Sequence, residues 1–306
     1  MLGFIAKRVF IAMVTIFLVL TIVFFVFRMG AADPVSIMLP PNATIKDVKM
    51  LTEKFGLDKP LGIQYLNYMK NVVHGDFGES FRYSEPAAAV FFSRLPATIE
   101  LGLLAFIFSV GSGLVVGIFS AVKPDSVIDR LGRFFALAGM SLPSFWVGIM
   151  LIMLFGVTLE WLPISGKGTL WHYIMPTICL SLYPIALITR LSRSAMLDAL
   201  KSDYVVMARI KGVPEKNVIL IHAFKNASLT LVTVITGIFS LMILGSVIVE
   251  MIFSWPGIGR LVMESFFTRD YPVVQVYVIF LTMIVTTVYL IMDIIYAYID
   301  PRIRFQ

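Results

Sequence analysis

The chain has 306 residues, 58% of them hydrophobic and 14% charged, with a mean hydropathy of +0.90. These proportions exclude an ordinary water-soluble domain, and the apolar residues stand in long uninterrupted runs that a soluble core does not require. Lys and Arg exceed Asp and Glu by 25 to 19; with so little charge and no RNA- or DNA-binding motif, the excess reads as membrane topology rather than nucleic-acid affinity.

The expected class is an all-α polytopic membrane protein. Six runs are long enough, at about 1.5 Å per helical residue, to cross or nearly cross roughly 30 Å of hydrocarbon. They are Val9 to Phe27, Leu101 to Val122, Phe134 to Leu159, Tyr173 to Thr189, Ala227 to Val249 and Val273 to Met292. Lys7 and Arg8 precede the first run and Gly30, Ala31 and Ala32 follow it, as in a signal peptide. Its apolar length exceeds the roughly 7 to 15 residues of a secretory apolar region, which favours a retained helix.

Short cytoplasmic loops hold an excess of Lys and Arg. The N-terminus, second loop, fourth loop and C-terminus hold 2, 3, 7 and 2, together 14, whereas the short third and fifth loops hold 1 and 2. Both termini are therefore expected in the cytoplasm. The first loop, Arg28 to Ala97, is too long for this rule and carries two helical patterns. Thr44 and Asp47 form a start like a capping box, followed by Ile45, Val48, Leu51 and Phe55 up to Gly56. After Pro60, Leu61, Tyr65, Tyr68, Met69 and Val72 share one face. Two short amphipathic helices on the outer membrane face are expected, as packing elements or as a binding surface.

Inside the spans, Ser109, Gly113, Gly117 and Ala121 form a small-residue stripe that predicts close helix packing. Pro143 and Pro184 interrupt the third and fourth spans, either lining a pathway or shaping the bundle. Cys179, the single cysteine, lies in an apolar run and reads as packing. No GxxxxGK[ST], HExxH or GxSxG motif occurs, and His74, His172 and His222 are scattered over different loops, so an enzyme has little support. Glu100, Glu160, Glu250 and Asp293 all fall near span ends rather than at mid-membrane, where an ion-driven carrier would use them. If substrate moves through the chain, the energy is expected from another subunit.

The fourth loop is the most basic. Ser202 and Asp203 supply a helix start, Arg209 and Lys211 its last turn, Gly212 its end, and Pro214 follows. A helix of about nine residues is too short to stand alone in water and must pack on its own bundle or on a partner. Outside the fifth span, Trp255-Pro256-Gly257-Ile258-Gly259 predicts a tight nonhelical path. It reads either as a turn with Trp255 as an interfacial anchor or as a re-entrant loop that receives substrate.

The stretch Asp203-Tyr204-Val205-Val206-Met207-Ala208-Arg209-Ile210-Lys211-Gly212, with His222-Ala223-Phe224-Lys225-Asn226-Ala227 after it, resembles the EAA-type loop of permease subunits of binding-protein-dependent ABC importers. It takes the form of the oligopeptide, dipeptide, nickel and glutathione branch, departing from the nominal Glu-Ala-Ala. Asp33-Pro34, Phe55 to Pro60, Gly75 to Gly78, Arg94, Pro96, Thr98, Glu100, Glu250, Phe253, Trp255 to Arg260, Asp270 to Pro272 and Asp300 to Arg304 extend the resemblance over nearly the whole chain. It is most similar to the first permease of the pair, of dipeptide or glutathione type.

The resemblance implies a type I importer transmembrane domain of six helices in the cytoplasmic (inner) membrane. Its expected divisions are 1–94, the first helix and outer segment; 95–299, the transmembrane domain; and 300–306, a cytoplasmic tail. It implies that Asp203, Tyr204, Ala208, Arg209, Lys211, Gly212 and His222 couple to an ATPase. Glu250, Trp255, Pro256, Gly257 and Gly259 would form the substrate-entry segment. The implied partners are a second permease, two ATP-binding subunits holding ATP and Mg, an extracytoplasmic solute-binding protein, the lipid bilayer and a peptide-type substrate, with no nucleic acid and no cofactor on this chain. A permease for nickel chelates or another small solute, and a self-sufficient carrier, are the alternatives.

Overall fold

The structure is a computed structural model describing residues 2–29, 44–54 and 56–299. The expected features at Gly30, Ala31, Ala32, Asp33-Pro34, Phe55 and Asp300 to Arg304 lie outside the described residues, as do the side chains of Asp47, Leu51 and Asp293. Apart from one isolated bridge between Glu79 and Pro86, no β-structure occurs among the described residues.

Contacts divide the chain into two compact units, Met1–Leu95 with Leu261–Gln306, and Pro96–Arg260. The first unit holds α1 (Leu2–Met29), α2 (Ile45–Lys54) and α3 (Leu61–Val73). The second holds most of α4 (Ala87–Val122), then α5 (Val127–Ser141), α6 (Ser144–Leu151), α7 (Trp171–Leu200), α8 (Asp203–Ile210) and α9 (Phe224–Ile252). Two further helices, α10 (Ile258–Phe267) and α11 (Tyr271–Ile299), complete the chain.

In the first unit α1 packs along α11, with the Phe27 and Tyr271 rings 5.1 Å apart, and α3 lies on α1. Of the predicted α3 face, Tyr65, Tyr68, Met69 and Val72 are partly buried, while Leu61 is exposed. The Tyr65 and Thr21 hydroxyls are 2.8 Å apart, and the Phe24 ring lies 5.3 Å from both tyrosine rings. Burial, with Tyr65 beside it, pushes the Tyr68 phenol up to about 12. On α2 the Ile45 and Val48 side chains face outward. The segment between α3 and α4 is tied to the start of α11: buried Asp270 accepts from the Ser80 hydroxyl and, at 3.1 Å, from the Phe81 N–H.

Among the described residues, four helices are individually long and apolar enough to cross a membrane: Ile5–Arg28, Ala87–Val122, Trp171–Leu200 and Tyr271–Ile291. Six crossings result if each of two bent pairs, Val127–Ser141 with Ser144–Thr158 and Glu215–Ser228 with Leu231–Phe239, counts as one. The third span is thus not the continuous run expected from Phe134 to Leu159. It turns through 106°, because Leu142 is extended before Pro143 and Pro143 holds ψ at 131°. Pro184 behaves differently: α7 continues through both Pro176 and Pro184. Helix α4 also begins earlier than expected, at Ala87, so that Arg94, Pro96, Thr98 and Glu100 lie within it.

The small-residue stripe does what its spacing predicts. It faces α7 so closely that a Cβ on Gly113 would stand 2.7 Å from Ile188 Cβ, and one on Gly117 would overlap Ser192 Oγ. Ser181 donates across the same contact to the Ala105 carbonyl at 3.0 Å. Cys179 is buried in the adjoining cluster with Leu101, Met175 and Met242, consistent with packing.

Candidate functional site

The loop between α7 and α9 builds one candidate site. Ser202 is the N-cap of α8 but makes no side-chain cap; its hydroxyl donates back to the Ala199 carbonyl, correcting the expected capping role. Asp203 sits in the first turn, where a carboxylate complements the helix N-terminus. The C-terminus is closed by a Schellman motif. Gly212, with φ of +76°, donates to the Arg209 carbonyl at 3.0 Å, and Val213 donates to the Ala208 carbonyl at 3.2 Å. Arg209 then reaches the next turn, donating through Nε and Nη2 to Glu215 at 3.2 and 2.7 Å. This guanidinium holds the Glu215 carboxyl below its ordinary value.

Packing splits α8 into two faces. Val205 and Ala208 are buried among Ala121, Met196, Ala199, Val218, Ala223 and Ala227, so the ends of α4, α7 and α9 form the floor on which the helix rests. Ala208, which the resemblance places among the contact or hinge positions, faces inward, because i and i+3 positions share a helix face and Val205 is its partner. Asp203, Tyr204, Met207, Arg209, Ile210, Lys211 and Gly212 are exposed, Ile210 at 74%. His222 is partly buried in the wider turn Val218–Ala223 that leads into α9. The structure thus brings an apolar outward stripe, Met207 and Ile210, together with charged neighbours.

A second constellation stands at the far end of α9. Glu250 is fully buried. Its Oε1 accepts from the Thr98 hydroxyl at 2.7 Å and its Oε2 from the Arg260 N–H at 3.0 Å. Thr98 Oγ1 accepts in turn from the Ile258 N–H at 2.8 Å. Together they satisfy backbone donors at the start of α10 that have no partner within the helix, and Glu250 places negative charge at its positive end. Trp255 is also fully buried, donating from Nε1 to the Ala97 carbonyl at 2.9 Å and meeting the Tyr173 ring edge-on at 4.7 Å. This corrects its reading as an interfacial anchor: the indole N–H finds a partner inside the protein and needs no water. Gly257 and Gly259 leave room for that packing. A Cβ on Gly257 would fall 2.4 Å from both Glu250 Oε2 and Thr98 Oγ1, and one on Gly259 would fall 2.6 Å from Val247 Cα. Pro256, between Trp255 and Gly257, is partly exposed.

Sequence reasoning did not find the third polar centre. Asp129 is fully buried and accepts from Arg193 Nε and Nη2 at 2.6 and 2.9 Å, while Arg133 lies 3.4 Å away. A signal was present, since Ser126 and Asp129 have capping-box spacing and the Ser126 hydroxyl does accept from the Asp129 N–H at 3.2 Å. The long-range arginine was not visible in it.

Residues 113–305 match the family model described as a binding-protein-dependent transport system inner membrane component, and residues 1–102 match the N-terminal model of such membrane components. Relatives share the whole chain length. A di/tripeptide transport system permease protein of Pseudomonas aeruginosa is 38% identical, a putative peptide transport system permease protein of Brucella abortus 37%, and a glutathione transport system permease protein of Escherichia coli 36%, each over 100% of both chains. The crystal structure of an amino acid ABC transporter with histidines matches with a TM-score of 0.52 at 16% identity, over 67% of this chain and 92% of the other, a likeness of fold. The apolar helices, the α8 loop and these matches agree, and the chain belongs to the inner membrane component family of binding-protein-dependent transport systems, with the fold of a type I ABC importer membrane domain.

Proposed function

We propose that the chain is the membrane-spanning, non-catalytic permease subunit of an ATP-driven importer that moves di- or oligopeptides, or glutathione-like peptides, by alternating access. The observation that carries this reading is α8: a short helix anchored on its inner face by Val205 and Ala208, stopped by Gly212, and presenting Tyr204, Met207 and Ile210 outward. An exposed apolar stripe on a basic loop is an interaction surface. An ATPase subunit docked there transmits its motion through α8 into α4, α7 and α9, which share its buried cluster. Coupling of this kind requires differential contacts in two states, and α8 is the element that both sides touch.

The remaining parts follow from the same reading. The chain lies in the inner membrane with both termini cytoplasmic, as the loop counts of Lys and Arg indicate. A second permease completes the pathway, two ATPase subunits hold ATP and Mg, and a solute-binding protein delivers substrate at the side of the Trp255 to Gly259 corner. Peptide selectivity is inferred from the names of the relatives. In that corner Glu250, Trp255, Gly257 and Gly259 shape the segment from inside, and Pro256 is the member open to a partner.

The test is Ile210→Asp. The expected result is loss of ATPase-subunit co-purification and of peptide uptake, with the melting temperature of the isolated chain unchanged. Uptake and association at parental levels would overturn the docking assignment. Uptake by the purified chain alone in vesicles without ATP would instead identify a self-sufficient carrier, and binding of nickel chelates rather than peptides by the solute-binding protein would change the substrate.

A further inference from the structure

Two cavities adjoin on the second unit, and only one of them is lined by charged side chains. One, of about 330 Å³, is lined by Arg133, Ala136, Leu137 and Met140 from α5 and by Thr189, Arg190, Arg193 and Ser194 from α7, so three guanidinium groups rim a partly apolar hollow. The other, of about 860 Å³, lies between α5, α6 and α7, and its walls are almost wholly aliphatic and aromatic. Ala136 and Thr189 line both, so the cationic cavity and the apolar groove adjoin. Both volumes fall within the about 300–1,000 Å³ usual for ligand pockets.

The charges around the first cavity do not cancel. Asp129 is fully engaged by Arg193 and lies near Arg133, and Arg133 also pairs with Asp125 at 3.1 Å. Arg190 is exposed and forms no ion pair among the described residues. Three guanidinium groups thus face two carboxylates, and each guanidinium carries five N–H donors, so donors remain. The depth matters as well. Twenty residues from Trp171, at about 1.5 Å each, bring α7 across about 30 Å of hydrocarbon to Arg190, where headgroups begin. Trp171 and Tyr173 mark the opposite edge, where interfacial aromatic residues concentrate.

We propose that this paired cavity binds one anionic phospholipid, its phosphate held by Arg190, Arg193 and Arg133 and an acyl chain lying in the apolar groove between α5 and α7. Planar guanidinium forks match phosphate oxygens in pairs, and basic pockets between membrane helices recognise acidic headgroups. Phe134, Phe135 and Leu137 are each more than 60% exposed beside the groove, which extends its apolar surface outward. A free anion would occupy the first cavity and leave the groove without an occupant. An apolar helix of another protein would fill the groove and leave Arg190 without an anion. The lipid supplies both halves.

The experiment uses the purified full-length chain with any subunits that accompany it. After delipidation it is titrated in detergent with phosphatidylglycerol, with phosphatidylcholine and with inorganic phosphate, and bound lipid and melting temperature are followed by native mass spectrometry and thermal unfolding. Phosphatidylglycerol is expected to be retained in preference to phosphatidylcholine and to raise the melting temperature. Arg190→Ala is expected to lower that retention about fivefold, the contribution of one basic residue near a lipid surface, with lipid-free melting unchanged. Arg190→Lys is expected to keep part of it. Equal retention of both lipids, unchanged retention in Arg190→Ala, or equal stabilisation by inorganic phosphate alone overturns the proposal. A photocrosslinker in place of Phe135 that captures a protein rather than lipid overturns it as well.

Discussion

Thr98 and Glu250, 152 positions apart, share a buried 2.7 Å hydrogen bond in which the hydroxyl donates to the carboxylate. The same hydroxyl accepts the Ile258 N–H, so one side chain of α4 ties the end of α9 to the start of α10. Thr98→Val keeps the shape and removes both bonds, leaving a buried carboxylate oxygen and an amide underpaired. The expected loss is about 1–3 kcal/mol of stability, read by thermal unfolding in detergent, with Thr98→Ser retaining most of it. Parental stability in the valine variant would show that Glu250 does not depend on this partner.

The contact between α4 and α7 yields a prediction with an internal control. Gly117→Ala drives a methyl group into Ser192 and toward the Thr189 carbonyl, and overpacking of this kind costs about 1–3 kcal/mol. Adding Ser192→Ala removes the nearest obstacle and should recover part of the loss; the Thr189 carbonyl, 2.7 Å from the new Cβ, keeps recovery incomplete. Gly111→Ala, in the same helix with nothing within 4 Å, should be neutral or slightly stabilising. Equal melting temperatures for the Gly117 and Gly111 variants would contradict the packing.

Gly212 is in a different position. A Cβ there meets nothing within 4 Å, so the cost of Gly212→Val lies in the φ of +76° alone, about 1–2 kcal/mol for leaving or enduring the left-handed region. The bundle should stay folded while the end of α8 shifts. In the assembled transporter, substrate-stimulated ATP hydrolysis should then separate from peptide uptake. If both keep parental rates, α8 is not the coupling element.

The Arg209 and Glu215 pair sets a pH dependence. The folded Glu215 carboxyl is held below its unfolded value, so its stabilisation is present above about pH 4.3 and is lost as pH falls through the lower folded value. Amide protection across residues 209–217 should therefore decline on acidification in the parent and be low and nearly pH-independent over that window in Glu215→Gln. Both side chains are exposed, so the effect is local and diminishes with salt.

Much of this protein follows from local pattern. The apolar runs, the stripe from Ser109 to Ala121, the helix before Gly212 and the face of α3 are periodicities of one segment, and a helix repeats them without reference to the rest of the chain. Motifs along nearly the full length likewise carried the family. Leu61 and Ser202 depart from their patterns because neighbouring surfaces and competing backbone acceptors are not written in the spacing.

What only the tertiary structure decided depends on partners far away in sequence. Pro143 and Pro184 are the same residue in similar apolar runs, yet one ends a helix at a 106° turn and the other is absorbed within α7, whose sides are packed by α4, α5 and α9. Trp255 is internal because Ala97 offers a carbonyl, Ala208 turns inward because α4, α7 and α9 supply a floor, and Asp129 is tolerated in the interior because Arg193 reaches it. An apolar run specifies that a segment enters the membrane. Which of its few polar groups can be buried is determined by the long-range partner that satisfies each one.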